Sequence, residues 1–223
     1  MVSYTQDPAG KKPRRGRNSL SRPEIIVAAR EVLADAGAAG FTIRAVAERL
    51  GASAMSLYNH VASKEELLDA ALDDVLSELG LADDPARPAN DVLVGFAQAH
   101  LALLRAHPWA VPALLSRPLP GPGATAVGEQ YFAAALRGGA TALQAVEVFT
   151  GVVAVVYGAA GFLVEPPAAS GGQQRSDVED RMLAGMAEAY PATATVMPHL
   201  MAYGSDEQLH GILRALVHGL MPR

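Results

Sequence analysis

Ala47, Gly51 and Leu57 constrain this chain more than any other feature of its sequence. They lie in FTIRAVAERLGASAMSLYNHV (41–61), where a helical run through Val46, Ala47 and Leu50 breaks at a glycine and resumes almost at once. A small residue four positions before the glycine lets two helices approach closely. The glycine can take the positive φ that a tight inter-helix turn requires. Leu57, six positions past it, then points back toward Val46 and Leu50. Small residue, glycine and apolar anchor at these offsets describe a helix-turn-helix. Its second helix, from Ser53 to about His60, is too short and polar to be core, so its outer face is left for a partner.

The flanks complete a three-helix head. Ser21 and Glu24 form an S-x-x-E capping box with Pro23 in the first turn. Ile25, Ile26, Ala29, Val32, Leu33 and Ala36 follow at helical spacing, and Gly37 supplies a left-handed stop. Thr42 caps the second helix. Ser63 and Glu66 open a fourth, with Leu68, Ala71, Leu72, Val75 and Leu79 on one side. Past a connection at 82–90, helical patterns recur at 91–106, 109–116, 128–137, 141–164, 177–190 and 205–218. Three of these starts carry box signatures, at Thr141/Gln144, Ser176/Glu179 and Ser205/Gln208. Segments 117–125 and 165–176 read as loops. No strand pattern and no repeat appears. The expected fold is all-α, with a basic disordered arm over 1–20, a helix-turn-helix domain over 21–66 and a larger helical domain over 67–223.

Charge points the same way. Residues 1–64 carry ten Lys/Arg against five Asp/Glu, whereas the rest of the chain carries eight against eighteen. An acidic protein with a basic N-terminal third is expected to meet a polyanion through that third alone. The absence of cysteine excludes disulfides and thiolate zinc sites. The N-terminus has basic residues but no apolar run behind them, so no signal peptide is expected. The apolar run at 145–164 contains Glu147 and lacks basic flanks, and it reads as a helix of a core or subunit interface rather than a membrane span. A cytoplasmic protein without a membrane partner is expected.

The exposed face of the third helix suits double-stranded DNA. The hydroxyls of Ser53, Ser56 and Tyr58 and the imidazole of His60 can donate to phosphate oxygens. Asn59 can offer donor and acceptor to a base edge, and Ala54 and Met55 can touch a thymine methyl. Lys64 stands at the start of the fourth helix, where an ammonium and a helix N-terminus converge on one phosphate. Thr42 and Arg44 stand likewise at the start of the second helix. The Lys/Arg cluster of the arm could reach an adjacent minor groove.

The stretch FTIRAVAERLGASAMSLYNHVASKEELLDAAL resembles the DNA-binding domain of the TetR family of bacterial transcriptional regulators, over about residues 21–76. The match includes Thr-x-Arg at the start of the second helix, Gly51, SLYNHV and Lys64, and is closest to the tetracycline-repressor subgroup. The resemblance implies phosphate contacts for Thr42, Ser56, Tyr58, His60 and Lys64, and base contacts around Arg44, Ala54, Met55 and Asn59. It also implies a second domain that binds a ligand and dimerises.

Within that second domain, candidate pocket residues are His100, Leu101, Leu104, His107, Trp109, Leu114, Tyr131, Phe132, Phe149 and Met182. They are apolar with a few polar tips, as a small apolar effector requires. Fifteen arginines against three lysines point to a GC-rich genome and make a natural product the expected inducer. His100 and His107 share a helical face but have no carboxylate beside them, so neither metal nor cofactor is expected. His210 and His218 are expected to face a partner. No catalytic motif is present, and an enzyme is the weak second reading. The helices at 141–164 and 205–218 are apolar on more than one side, as a two-fold four-helix bundle would need. The expectation is a homodimeric repressor released from a palindromic operator by a small apolar ligand. The alternative is an activator or architectural DNA-binding dimer without a ligand switch.

Overall fold

Helix caps decide where most elements begin, and the described residues bear this out. The structure is a computed structural model that describes residues 20–117, 121–162, 185, 189–200 and 205–222. Residues 1–19 of the arm, most of the stretch expected to be helical at 177–190 and Met182 lie outside the described residues. Ten helices occur among the described residues, and no strand.

The head comprises α1 (Arg22–Gly40), α2 (Ile43–Leu50) and α3 (Ala54–Leu57), followed by α4 (Lys64–Ser77). Ser21 and Glu24 make both halves of the capping box, and Gly37 breaks α1 internally with φ 62°. Gly51 closes α2 at φ 65°, ψ 28°, where a residue with a Cβ would cost about 1–2 kcal/mol. Ser63 caps α4 through the Glu66 amide, but the Glu66 carboxylate accepts from the Ala62 amide at 2.6 Å and from Arg22 at 2.9 Å. That box is therefore half local and half a tie to α1. The hydrogen bonds from Ala62 and Arg22 hold the Glu66 carboxyl below its usual range.

The body comprises α5 (Ala89–Ala106), α6 (Ala110–Ser116), α7 (Pro122–Arg137), α8 (Ala142–Phe162), α9 (Pro191–Leu200) and α10 (Asp206–Leu220). The boxes at Thr141/Gln144 and the cap at Ser205 form. Two expectations on helix extent are corrected. α7 begins at Pro122 rather than near 128, because Asp73 of α4 accepts from the Gly123 and Ala124 amides at 3.0 Å each. α9 occupies a stretch for which the sequence suggested no element, and Thr and Pro residues there obscure any apolar stripe.

Two cores result. Ile25, Val32, Leu33, Phe41, Val46, Ala47, Leu57, Leu67 and Ala71 belong to the head core, and Leu72 and Leu76 to the body core. The division expected after residue 66 falls inside α4, whose apolar residues are shared between the two. Leu68 and Trp109 pack against both cores. α8 buries only the stripe Ala145, Val148, Val152 and Val156, and leaves Leu143 and Val146 at least half exposed. It is long and apolar enough to cross a membrane by length and composition. One side nevertheless packs on α5, α7 and α10, and a Cβ at Gly151 would lie 3.2 Å from Leu216 of α10.

Candidate nucleic-acid interface and core cavity

α3 is held by its ends, which frees its outer face. Leu57 is fully buried beneath it, and Ser53 caps it through the Ser56 amide. Burying a leucine this way holds the helix by about 2–5 kcal/mol, judged by the usual cost of truncating it to alanine. Met55, Tyr58 and Asn59 are exposed, as are Thr42, Arg44 and Ser53, while Ala54, Ser56, His60 and Lys64 are half-buried. Thr42 spends its oxygen on the Ala45 amide at 3.0 Å, yet its hydroxyl proton stays available. Arg44 pairs with Glu48 at 2.9 Å, an exposed pair that a phosphate or base can displace at little cost. The Lys64 ammonium stands 5.7 Å over the Phe41 ring. The whole set lies at the α2–α3 end of the head and the first turn of α4.

The turn after α3 is fixed to α1 by Arg22, which donates to the His60 carbonyl at 2.7 Å as well as to Glu66. Further along α4, Arg30 of α1 binds Asp74 at 2.6 Å and also Glu78, and His107 Nε2 donates to Glu78 at 3.2 Å. Burial pushes the Glu78 carboxyl up, but the hydrogen bonds from Arg30 and His107 outweigh it and hold the group below its usual range. α1 is therefore tied to α4 near both of its ends.

A cavity of about 160 Å³ opens in the body between α4, α5, α6, α7 and α8. His100, Leu114 and Phe149 line it, together with Leu76, Arg117, Ala124, Val127, Val153 and Tyr157. Tyr131 and Phe132 stand behind Phe149, with ring centroids 5.5 and 5.1 Å from it. The remaining candidates are placed elsewhere. Leu104 is fully buried. Leu101 lines a groove against α10, and His107 and Trp109 line a cleft against α1 with Val27, Arg30, Glu31 and Ala34. His100 and His107 thus do not meet, because α5 ends at Ala106 and the His107 backbone leaves the helix. No group of three His, Asp or Glu side chains clusters among the described residues. His210 and His218, expected to face a partner, hydrogen-bond within the subunit to Gln98 and Asn90 of α5.

The cavity carries a specific electrostatic signature. Both His100 ring nitrogens and the Tyr131 hydroxyl are buried without a hydrogen-bond partner. Burial pulls the His100 imidazole down to about 4, so it is neutral at pH 7 with one donor and one acceptor unused. Burial pushes the Tyr157 phenol up to about 12 and Tyr131 higher still. Each unpaired buried group costs about 1–3 kcal/mol; of the two residues only His100 lines the cavity, and a hydrogen-bonding occupant would relieve its cost. Arg117 and Tyr157 escaped the sequence reading: Arg117 stands in a Pro/Gly-rich loop signal, while Phe149, Val153 and Tyr157 recur every four residues along α8.

A small helix-turn-helix head joined by a shared helix to a hollow helical body defines a two-domain regulator architecture. Comparison with known proteins agrees. Residues 25–71 match the model described as bacterial regulatory proteins, tetR family, and residues 72–222 match the tetracyclin repressor-like C-terminal domain. The chain belongs to the TetR family. An HTH-type transcriptional regulator of Saccharopolyspora erythraea is 37% identical over 123 residues, covering 55% of this chain and 52% of that protein. The HTH-type transcriptional repressor DrrR1 of Streptomyces coeruleorubidus is 38% identical over 120 residues, covering 52% of this chain and 43% of that protein. The matches thus span about half the length of these curated relatives. Apo ActR from Streptomyces coelicolor superposes with a TM-score of 0.79 at 20% identity, covering 90% of this chain and 94% of that one. The regulator SCO7222 of the same organism gives 0.72 at 28% identity, covering 90% and 97%. The family and these relatives are regulators, not enzymes.

Proposed function

We propose that the protein is a cytoplasmic DNA-binding transcriptional regulator that acts as a homodimeric repressor and leaves a palindromic operator when a small molecule fills the body. The observation that carries this is α4. Its first turn bears Lys64 beside the α3 face, and Leu76 near its last turn lines the cavity. Occupancy of the cavity thus acts on the element that sets the attitude of the head. A coupling of about 1–3 kcal/mol between the two sites would loosen DNA several-fold to a hundredfold.

The exposed apolar side of α8 supports the dimer. Leu143 and Val146, with Ile212 of α10, lie exposed on two adjacent helices, the arrangement a two-fold four-helix bundle covers. Two heads held about 34–36 Å apart read successive major grooves. ActR has been solved with actinorhodin and with (S)-DNPA, which supports a small-molecule effector for this chain as well. At about 160 Å³ the cavity is smaller than typical pre-formed drug sites of about 300–1,000 Å³, so a larger effector must displace its walls.

The test is a mobility shift on duplex DNA from upstream of the coding sequence, with and without small-molecule extracts. A shift by the dimer that an extract reverses supports the reading. No shift at all, or a shift given equally by a protein with Tyr58 and Asn59 both changed to alanine, contradicts it.

A further inference from the structure

We infer that the effector is an aromatic molecule bearing an ionised acid group, and that this acid takes Arg117 over from Asp69 of α4. The inference rests on the cavity being the effector site proposed above and names the chemistry that fills it.

Among the nine lining residues, Arg117 is the sole fixed charge. The carboxylate that neutralises it, Asp69, is not part of the lining; it reaches Arg117 Nη1 from α4 at 2.5 Å. That pair is partly exposed, with about a quarter of the Arg117 side chain and over a third of Asp69 open to solvent. Such a pair has little net stability to defend against a better-placed anion. A guanidinium carries five N–H donors in a planar fork, so a second carboxylate can engage it in two parallel bonds. A basic ligand would meet the arginine head-on and is disfavoured.

The rest of the lining defines the remainder of the molecule. Phe149 and Tyr157 present rings, the latter stacked edge-on to His100 at 5.5 Å, and Leu76, Leu114, Val127 and Val153 supply apolar surface. Flat aromatic bodies suit such walls. His100 is 2% exposed, lines the cavity, and has neither ring nitrogen paired. A neutral imidazole can donate to a carbonyl or accept from a hydroxyl. One acidic end at Arg117 and one oxygen at His100 match two of the polar positions of the lining, the Tyr157 hydroxyl being the third.

The exchange bears directly on α4. Two α4 carboxylates hold the end of α6 and the start of α7: Asp69 through Arg117, and Asp73 through the Gly123 and Ala124 amides. The second grip is tight, since a Cβ at Gly123 would lie 2.5 Å from the Asp73 carbonyl oxygen. An acid that draws Arg117 into the cavity loosens the first grip and leaves the second as a pivot.

The probe pair is 3-hydroxy-2-naphthoic acid and its methyl ester, which keep the same ring and hydroxyl and differ in charge. Binding to the full-length protein is followed by calorimetry. Wild type is expected to bind the acid about tenfold or more tighter than the ester, the usual worth of a charge-assisted hydrogen bond. Arg117→Gln should erase that preference, and Arg117→Lys should restore part of it. Asp69→Asn should tighten the acid about three- to tenfold while leaving the ester unchanged, because it removes the competing anion. A merely structural ion pair would instead weaken both ligands in either variant, and circular-dichroism melts separate loss of fold from loss of site. Equal affinity for acid and ester, or weaker acid binding in Asp69→Asn, overturns the inference while leaving a ligand-responsive repressor intact. Failure of both probes to bind wild type overturns it as well, and DNA binding measured on the same samples shows whether the broader reading survives.

Discussion

The head and the body are both helical, but they are finished to different degrees. In the head, no polar or charged side chain is buried among the described residues, and Arg22, Arg30 and Arg49 tie helices together at the surface through Glu66, Asp74, Glu78, Glu31 and Asp35. In the body, His100 and Tyr131 are buried with unused hydrogen-bonding atoms, and His100 lines a void. The head is built to present a fixed surface. The proposed effector would complete the body. α4 belongs to both cores, so the unfinished region can act on the finished one.

Several changes would break or sharpen that contrast. The largest effect is expected for Leu57→Ala, which removes the anchor under α3 and should cost about 2–5 kcal/mol in chemical denaturation. A value near zero would mean that the head is looser than its packing shows. Acid should expose the body next. The folded His100 titrates at about 4 against 6.5 for a free imidazole, so its contribution is intact above pH 6.5 and lost as pH falls toward 4. That loss amounts to about 3 kcal/mol. His100→Leu should flatten the stability profile between pH 6.5 and 4.5, and by removing two unpaired nitrogens should raise stability at pH 7 by about 1 kcal/mol or more. Unchanged acid sensitivity in that variant would contradict the buried, neutral imidazole.

Smaller effects probe the joints. Gly51→Ala meets no atom within 4 Å and should cost only the conformational penalty of about 1–2 kcal/mol, read from the melting curve. Tyr58→Phe is the mildest. It keeps the half-exposed ring, should leave the melting temperature within error, and should weaken DNA about tenfold through one lost hydrogen bond to phosphate. Equal DNA affinity would argue against the phosphate contact proposed for Tyr58.

Much of the head was legible in the sequence because its rules are local. Ser21 with Glu24, Thr42, Gly51 and Ser63 act within four residues of their own positions, and all four appear where their spacing puts them. The body resisted where its determinants are distant. α7 starts early because a carboxylate fifty residues away caps it, and no window around residue 122 contains Asp73. Arg117 looks like loop punctuation until α4 brings Asp69 against it. Sequence spacing groups His107 and Trp109 with His100, whereas the end of α5 turns them toward α1. Helical periodicity says which face is apolar; it does not say which apolar face surrounds a void.

The proposed pairing of a reading head with a dimerising body is tested most directly by selecting bound duplexes from a random DNA library with the full-length protein. The expected product is a two-fold symmetric site, whose enrichment collapses when Tyr58 and Asn59 are both changed to alanine. An asymmetric single half-site, or no enriched sequence, would contradict it.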